Sequence, residues 1–335
     1  MSGVITIAIK ADDADQRLDR WLKRRFPGLA QGRIEKLLRT GQIRVDGKRA
    51  KSNQRLLPDQ DVRLPPHIAM PPPDEPDEVT AVRAPRSVSK ADAELIQSCV
   101  IYKDDDVLVL NKPPGLAVQG GTGTERHIDG MLDALQFEQE GRPKLVHRLD
   151  RDTSGVLVLA RGARNAQLLG DAFRHRNARK IYWALVVGAP KPSQGKIDLA
   201  LAKEAGPGGY ERVAADEEDG KRAVTLFATA EAAGDKAAWL VLWPRTGRTH
   251  QLRVHCADAL KTPIVGDGKY GGPAARLPGD GVSGKLHLHA RSIEIPHPSG
   301  SGLLKVKAPL PTHMAKTWEF FGFDADARID PFPRD

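Results

Sequence analysis

The spacing of apolar residues near the N-terminus predicts two short helices followed by a hairpin. In RLDRWLKRRF, residues 17–26, the apolar side chains recur at helical spacing and basic ones cover the remaining surface. A second helix is expected over 32–40, ending before Gly41, which suits a left-handed cap. Alternation before and after Asp46-Gly47 is typical of a hairpin turn, and 62–64 adds another strand.

From about Ala93 onward, short apolar runs predict a larger domain rich in strands. The run 107–110 forms a buried strand that ends at the turn 111–115, and 156–159 repeats the signal. Because strands outnumber helices and do not alternate regularly with them, the pattern favours an α+β domain with a largely antiparallel mixed sheet. Further strands are predicted at 181–187, 223–227, 238–243, 286–290 and 303–306, and helices at 127–135, 163–174 and 251–259.

Seven prolines among acidic residues separate these two regions. Proline blocks helices and sheet ladders, so this stretch is expected to be an extended linker. A chain of 335 residues is long enough for two domains with their own cores. We therefore predict a small domain at 1–64, a linker at 65–92 and a large domain at 93–335.

Positive charge is concentrated in the small domain. The net charge of the chain is +8, and residues 1–64 contain 15 Lys and Arg against 8 Asp and Glu. A compact basic domain favours a polyanionic partner such as nucleic acid, although a solubility surface has a similar composition. No apolar run approaches the ~20 residues of a membrane helix, so no membrane association is expected.

Cysteine and histidine usage argues against a disulfide framework or a metal site. The two cysteines, Cys99 and Cys256, are far apart and lack ligand-spaced neighbours, so a reducing, cytoplasmic environment is expected. His287 and His289 alternate on one predicted strand, but no third ligand is spaced with them.

The densest polar segment is LVHRLDRDTSG, residues 145–155, which directly precedes a predicted strand. Its end, Asp152 to Gly155, also suits a simple hydrogen-bonded turn. A hydrolytic triad of His147, Asp150 and Ser154 is disfavoured, because the segment lacks the G-x-S-x-G elbow that exposes a nucleophilic serine.

The N-terminal pattern resembles the alpha-L RNA-binding module shared with a ribosomal small-subunit protein. The match covers roughly residues 16–64, although Leu-Ala-Gln at 29–31 replaces the serine common at the start of the module's second helix. The resemblance implies RNA binding. The basic residues assigned to it are Arg17, Arg33, Lys36, Arg44 and Lys48.

Three longer motifs resemble the RluA-type pseudouridine synthases. HRLDRDTSG at 147–155 matches the family's catalytic motif, KIYWAL at 180–185 its second motif, and PRTGRTHQLRVH at 244–255 its third. The resemblance covers almost the whole chain and implies the pseudouridine synthase fold, with a layout most similar to RluC-like members. Weaker markers are LNKPPG at 110–115, PIVGD at 263–267 and LHA at 288–290.

The resemblance implies isomerisation of uridine to pseudouridine in structured RNA, in which the base is detached, rotated and rejoined through carbon without a cofactor. By the same match Asp150 is the nucleophile, and attack on ribose or on uracil stays open. Arg248 is expected to pair with Asp150 and keep it ionised, the simpler alternative being a phosphate contact. Tyr182 is expected to stack on the base, above Leu252, the alternative being a core tyrosine. Lys180 is expected to contact phosphate or the ion-pair network.

RNA engagement requires extrusion of the target base, at a cost of a few kcal/mol. Arg148 is expected to enter the gap or to bind the displaced partner, and His147 is included in the substrate-binding set. A basic run is expected to contact phosphates, although it also suits a solvated helix end. Its members are Arg174, His175, Arg176, Arg179 and Lys180.

The implied partner is large-subunit (23S) ribosomal RNA or a ribosome-assembly intermediate, recognised by a monomer. Transfer RNA is the alternative substrate, because sister enzymes share the catalytic residues. Two other function classes remain: a noncatalytic ribosome-assembly RNA-binding protein, which the N-terminal module alone would support, and a hydrolase.

Overall fold

The computed structural model describes residues 4–333 except 11–12, 14–15, 67, 69–87, 122–123, 206–210 and 280. The chain divides into two compact units, Met1–Ser87 and Val88–Asp335. Most of the predicted linker, 65–92, lies outside the described residues, and its last three residues already belong to a helix. The three-part division by residue number stays a prediction.

The first unit combines two helices with a four-stranded antiparallel sheet of order β1-β4-β2-β3. Apolar side chains of both helices, including Trp21 and Ile34, share one core with the sheet. Asp46 and Gly47 have φ angles of 49° and 72°, as a type I′ turn requires. The elements are β1 (Ile5–Ala8), α1 (Leu18–Arg25), α2 (Gln31–Arg39), β2 (Arg44–Val45), β3 (Lys48–Arg49) and β4 (Asp61–Leu64).

The second unit is built on a ten-stranded sheet. Eight strands follow the order β10-β13-β14-β9-β15-β8-β6-β5, while β16 pairs with β15 and β7 with β8. Every pairing in it is antiparallel except that of β15 with β8. Strands β11 and β12 form a separate hairpin. The α+β class with a largely antiparallel sheet is therefore confirmed.

Two strands of this unit, β8 and β14, are buried along their whole length. The strands of the unit are β5 (Val100–Lys103), β6 (Val107–Lys112), β7 (Lys144–Leu145), β8 (Ser154–Ala160), β9 (Arg179–Val187), β10 (Gln194–Asp198), β11 (Leu201–Ala205), β12 (Glu211–Ala215), β13 (Val224–Ala233), β14 (Ala237–Pro244), β15 (Leu288–Pro296) and β16 (Leu303–Lys307).

The helices of this unit are short. They are α3 (Lys90–Ser98), a 3₁₀ helix (Ile128–Leu135), α4 (Ala163–Arg174), α5 (Gln251–Val254), a π-helical turn (His255–Ala259), a second 3₁₀ helix (Gly272–Ala275) and α6 (Thr312–Phe321). In the described part of the chain, no helix has the length and apolar character needed to span a membrane.

Three element predictions need correction. The predicted turn 111–115 begins too early, because β6 continues through Lys112, whose side chain is buried. The predicted helix 127–135 is a 3₁₀ helix. The predicted helix 251–259 changes from α to π geometry at His255, whose Nδ1 is hydrogen-bonded to Thr225 Oγ1 at 2.9 Å.

The strand register brings the three sequence motifs together. Ala290 of β15 lies opposite Gly155 at the start of β8 on one side and Tyr182 of β9 on the other. On its far side, Tyr182 lies opposite Leu242 of β14. Since the Asp150 loop directly precedes β8 and the third motif directly follows β14, all three motifs meet at one edge of the sheet.

Candidate active site

A cleft of about 550 Å³ lies where the three motifs meet. Of the residues predicted for catalysis or substrate binding, all seven line it: His147, Arg148, Asp150, Lys180, Tyr182, Arg248 and Leu252. Several further cations, including Arg253, line it as well. A cleft of this size suits a single nucleotide-sized ligand.

The loop that carries Asp150 is anchored by the side chain of Lys112. This side chain is fully buried, and its Nζ donates to the carbonyl oxygens of Pro113, Leu116 and Arg151 at 2.7 to 2.9 Å. Three acceptors use all three N–H groups of an ammonium. Burial lowers the pKa of Lys112 to about 7, while the charges of Asp152 and Asp150 act in the opposite direction. The sequence motif 110–115 contained this lysine, but we assigned it no role.

The end of the same loop depends on Gly155. Its φ is 107°, and a Cβ there would lie 2.2 Å from the carbonyl oxygen of Ala290. No side chain fits at that separation, so only glycine lets β8 begin beside β15. This close approach fixes the distance between the Asp150 loop and the strand beside Tyr182.

The Asp150 carboxylate is partly open to the cleft, with 20% of its side chain exposed. The nearest basic nitrogen within 4 Å, among described residues, is His250 Nε2, 3.9 Å from Asp150 Oδ2. The charge of Asp150 also acts on Arg253 and Tyr182. The carboxylate thus faces positive and polar groups while its oxygens remain available to a substrate.

The predicted ion pair between Arg248 and Asp150 is not formed among the described residues of this structure. Arg248 donates through Nε to the carbonyl oxygen of Arg222 at 3.2 Å, and the described residues contain no Arg248–Asp150 contact within 4 Å. The buried Gln251 accepts from the backbone N–H of Arg248 at 3.0 Å and donates to Val224 O at 3.0 Å. These bonds fix the loop that carries Arg248 on β13. The Arg248 side chain is therefore held beside Arg222 and not beside Asp150.

The buried cation of the cleft is Arg253, three residues beyond His250. It makes two parallel hydrogen bonds to Asp267, at 2.8 Å from Nε and 2.7 Å from Nη2. Burial opposes its charge, but the bonds and charge of Asp267, with a contribution from Asp150, raise its pKa. Its place in the third motif was visible in the sequence, but only the fold distinguishes it from Arg248.

Tyr182 and Leu252 form an apolar part of the cleft wall. Leu252 belongs to the apolar cluster against which Tyr182 packs. Burial, and then the charge of Asp150, raises the pKa of Tyr182, so its hydroxyl stays protonated at neutral pH. The pair offers a flat apolar surface beside a carboxylate.

The polar neighbours of Asp150 in the sequence have structural partners. His147 Nε2 accepts from the Val158 N–H at 2.8 Å, and the ring stacks on Phe173 at 4.3 Å. Ser154 is 1% exposed and bonds His289 Nδ1 at 2.9 Å. Since His147 and Ser154 have different partners, no hydrolytic triad forms around Asp150.

The basic residues predicted to contact phosphate in the second unit divide into two groups. Arg174, Arg176 and Lys180 line the cleft, although Arg174 also bonds Asp171. Arg179 is different: it makes two bonds to Asp330, at 2.8 and 2.6 Å. Arg179 thus binds the C-terminal segment in this structure, and its phosphate contact stays a prediction.

Basic side chains of the first unit make several local contacts. Arg17 binds Asp19 through two nitrogens, and Arg44 donates to the carbonyl oxygens of Gly41 and Gly47 at 3.1 Å. Lys36 and Lys48 are exposed. Arg33 is partly buried.

The two histidines considered as metal ligands are buried in the core. His287 bonds Lys285 O at 2.7 Å and Thr317 Oγ1 at 2.9 Å, while His289 is bonded to Ser154. Their ring nitrogens therefore have protein partners.

Comparison with known proteins agrees with this geometry. A family model described as RNA pseudouridylate synthase matches residues 106–258, and the S4 domain model matches 16–62. The ribosomal large subunit pseudouridine synthase C of Escherichia coli K12 is 34% identical, over 91% of this chain and 92% of its own. RNA pseudouridine synthase 4, mitochondrial, of Arabidopsis thaliana is 33% identical, over 92% and 80%.

Solved structures give the same result. The structure titled human RNA pseudouridylate synthase domain containing 4 has a TM-score of 0.58 at 28% identity, covering 69% of this chain and 95% of that one. The corresponding human domain containing 1 has a TM-score of 0.52 at 30% identity, covering 63% and 83%.

Proposed function

Because the chain belongs to the RNA pseudouridine synthase family and is therefore an RNA-modifying isomerase, we propose that it converts selected uridines of large-subunit ribosomal RNA to pseudouridine, with Asp150 as the nucleophile. The observation that carries the chemical part is the Asp150 carboxylate, which is open to a cleft that the buried Arg253 also lines and whose charge acts on Arg253. A carboxylate suits this reaction because it can form and later release a covalent intermediate.

Arg253, rather than Arg248, is the cation that keeps Asp150 ionised in this proposal. A neighbouring positive charge favours the carboxylate form, which is the nucleophilic one. Arg253 remains charged because Asp267 binds two of its nitrogens, while Nη1 makes no hydrogen bond with any described residue. That nitrogen can donate to the substrate.

The target uracil stacks on Tyr182 after it leaves the RNA helix. The apolar support of Leu252 and the protonated hydroxyl suit a flat, polar-edged base. The base is then detached from its ribose, rotated in the cleft and rejoined through carbon, so no atom is gained or lost.

Cations around the cleft bind the RNA backbone in this proposal. Arg148 fills the space left by the extruded base, and Arg174, Arg176 and Lys180 contact phosphates. The S4 domain provides a second RNA contact, through Arg17, Arg33, Lys36, Arg44 and Lys48. Lys180 also lies 6.0 Å above the Phe173 ring, and burial lowers its pKa.

The choice of large-subunit ribosomal RNA rests on the relatives. Several relatives at 33–34% identity are named ribosomal large subunit pseudouridine synthase C and match over about nine tenths of the chain. The monomeric state and the cytoplasmic location stay predictions.

Pseudouridine mapping tests the proposal. Unmodified large-subunit ribosomal RNA and bulk transfer RNA are incubated with wild-type protein or Asp150→Asn, and pseudouridine is mapped at single-nucleotide resolution. We expect new pseudouridines at a few ribosomal positions with wild-type protein and none with the variant. Modification of transfer RNA alone would overturn the substrate, and activity of Asp150→Asn would overturn the nucleophile.

A further inference from the structure

We propose that His250 is a positioning residue for the Asp150 carboxylate, and that Tyr270 fixes its tautomer so that Nε2–H faces Asp150. The inference rests on the proposed role of Asp150 as nucleophile. His250 lies in the third motif, but nothing in the motif match gave it a function, and Tyr270 lies outside the three long motifs.

The backbone presents His250 in an unusual conformation. Its φ and ψ are 54° and 18°, in the left-handed region that residues with a side chain rarely adopt. The following helix begins at once, with Val254 N–H donating to His250 O at 3.0 Å. Strain of this kind persists where surrounding contacts enforce it, and it is frequent at functional sites.

The tautomer follows from the hydrogen bonds at Tyr270. Its hydroxyl lies 2.6 Å from His250 Nδ1 and also accepts from the Val213 N–H at 3.3 Å. We assign His250 Nδ1 as the acceptor of the hydroxyl proton, because it is the acceptor that the described residues place beside this hydroxyl. A neutral imidazole that accepts at Nδ1 carries its proton on Nε2, which is the nitrogen 3.9 Å from Asp150.

Electrostatics favours a neutral His250. Burial lowers its pKa, and the charges of Arg253 and Lys269 act in the same direction, against those of Asp150 and Asp267. A neutral N–H donor orients a carboxylate by a hydrogen bond without neutralising its negative charge. In this arrangement Arg253 stabilises the negative charge of Asp150, and His250 orients its carboxylate.

One turn holds both side chains. Asp267 binds Arg253, and Tyr270, three residues later, binds His250, which is three residues before Arg253. Arg253 also lies 5.0 Å from the Tyr270 ring centre. On each segment the two residues are three positions apart, so the turn 267–270 holds both the guanidinium of Arg253 and the imidazole of His250.

The separation of 3.9 Å between His250 Nε2 and Asp150 Oδ2 is longer than a hydrogen bond. Catalytic hydrogen bonds are often long in the free enzyme and shorten when the substrate binds. We expect His250 Nε2–H to donate to Asp150 in the RNA complex and to hold the carboxylate in the attacking orientation.

We call the chain of contacts from Tyr270 through His250 to Asp150 the relay. Its test is the single-turnover rate of pseudouridine formation, measured with saturating enzyme on the RNA that the wild-type protein modifies. His250→Ala is expected to slow pseudouridine formation on the order of 10- to 100-fold, the effect of losing one hydrogen bond to a charged group, with RNA affinity within about twofold. His250→Gln, which offers an N–H near the position of Nε2, should recover part of the rate. Tyr270→Phe should also be slower than wild type.

A double-mutant cycle tests the coupling. If Tyr270 acts through His250, the double variant His250→Ala/Tyr270→Phe is no slower than His250→Ala alone. Rate losses that multiply, or a loss confined to RNA affinity, would overturn the relay. The matched control is Tyr102→Phe, which removes a hydroxyl bonded to Asp104 outside the cleft and should leave the rate unchanged.

Failure of the relay is distinguishable from failure of the proposed function. A wild-type protein that modifies no RNA, or an active Asp150→Asn, overturns the proposed function and with it the premise of the relay. An active wild-type protein, inactive Asp150→Asn and an unchanged rate for His250→Ala overturn the relay alone. Thermal melting of each variant identifies folding defects, and His250→Gln and Tyr270→Phe keep the test decisive if His250→Ala misfolds.

Discussion

Asp150 and Asp267 belong to the same site but have opposite surroundings. Asp267 is 1% exposed and accepts from two nitrogens of Arg253 and from the backbone N–H groups of Lys269 and Tyr270. Asp150 is 20% exposed, and its carboxylate accepts no hydrogen bond from any described residue. One carboxylate has its lone pairs occupied, and the other has them free.

The difference supports the proposed roles of Asp267 as a structural carboxylate and of Asp150 as the nucleophile. A carboxylate whose oxygens are bonded to an arginine and two backbone amides is a weak nucleophile, because attack would require those bonds to break. Asp150 needs stabilisation of its charge without occupation of its oxygens. Arg253 meets this need at a distance, while Asp267 holds Arg253 in place.

The supports of the two residues differ as well. The Asp150 loop is anchored by Lys112 beneath it and by two neutral imidazoles, His147 and His289, at its ends. The Asp267 turn is anchored by a buried ion pair. In the first set, burial lowers the pKa of Lys112 to about 7 and that of each imidazole to about 3.

Removing each carboxylate in turn is the strongest test of this comparison. Asp267→Asn leaves Arg253 buried without its charged partner, so we expect the free energy of unfolding to fall by about 3–5 kcal/mol. Asp150→Asn removes no hydrogen bond seen in the structure, so its free energy of unfolding should change by less than about 0.5 kcal/mol, although activity is lost. Denaturant unfolding monitored by circular dichroism measures both values.

A reversal would contradict the assignment. If Asp150→Asn destabilised the protein as strongly as Asp267→Asn, Asp150 would have a structural role that its surroundings do not reveal. The two substitutions are chemically identical, so each serves as the control for the other.

The second test compares the two arginines of the third motif. Arg253→Lys cannot make two parallel bonds to Asp267, and we expect the single-turnover rate to fall about 100-fold, as when one electrostatic contact to a reacting group is lost. Arg248→Lys keeps a cation at the cleft wall and should change that rate by less than about threefold. The same RNA and enzyme concentrations serve for both variants, and RNA affinity is measured in parallel.

The opposite order of effects would restore the pairing that the motif match predicted. A large loss for Arg248→Lys with a small one for Arg253→Lys would mean that Arg248 reaches Asp150 in the RNA complex. Thermal melting of both variants separates this outcome from simple unfolding of Arg253→Lys.

Much of the fold followed from the apolar pattern. The long buried strands, such as 156–159 and 238–243, and helix 163–174 were predicted because their patterns are strong and local. Strands β1 and β10 were missed, since their residues are largely polar or exposed and their partners, β4 and β13, lie further along the chain. Pairing between distant segments leaves little local signal.

The site was predictable in its members but not in its contacts. Motif matches identified Asp150, Tyr182 and Leu252, all of which line one cleft. They could not distinguish Arg248 from Arg253, because both lie in the same motif and only their burial and partners differ. Lys112 was missed for a similar reason: a lysine is usually exposed, and its three carbonyl acceptors exist only in the folded chain.

The last test sharpens the comparison between the two sets of anchors through pH. Burial lowers the pKa of both His147 and His289 to about 3, from an ordinary value of 6.5. The unfolded chain therefore binds more protons below pH 6.5, and the stability that the neutral rings contribute is present above pH 6.5 and is lost as pH falls towards 3. Each ring contributes up to about 1.4 kcal/mol per pH unit in that window.

His147→Gln keeps an acceptor near the Val158 N–H but cannot titrate. We expect the free energy of unfolding of this variant to fall less steeply between pH 6.5 and 5 than that of the wild type, by up to about 1.4 kcal/mol per pH unit. The comparison uses denaturant unfolding at several pH values. Equal slopes for the two proteins would mean that His147 does not stay neutral in the folded state and adds nothing to the pH dependence of stability.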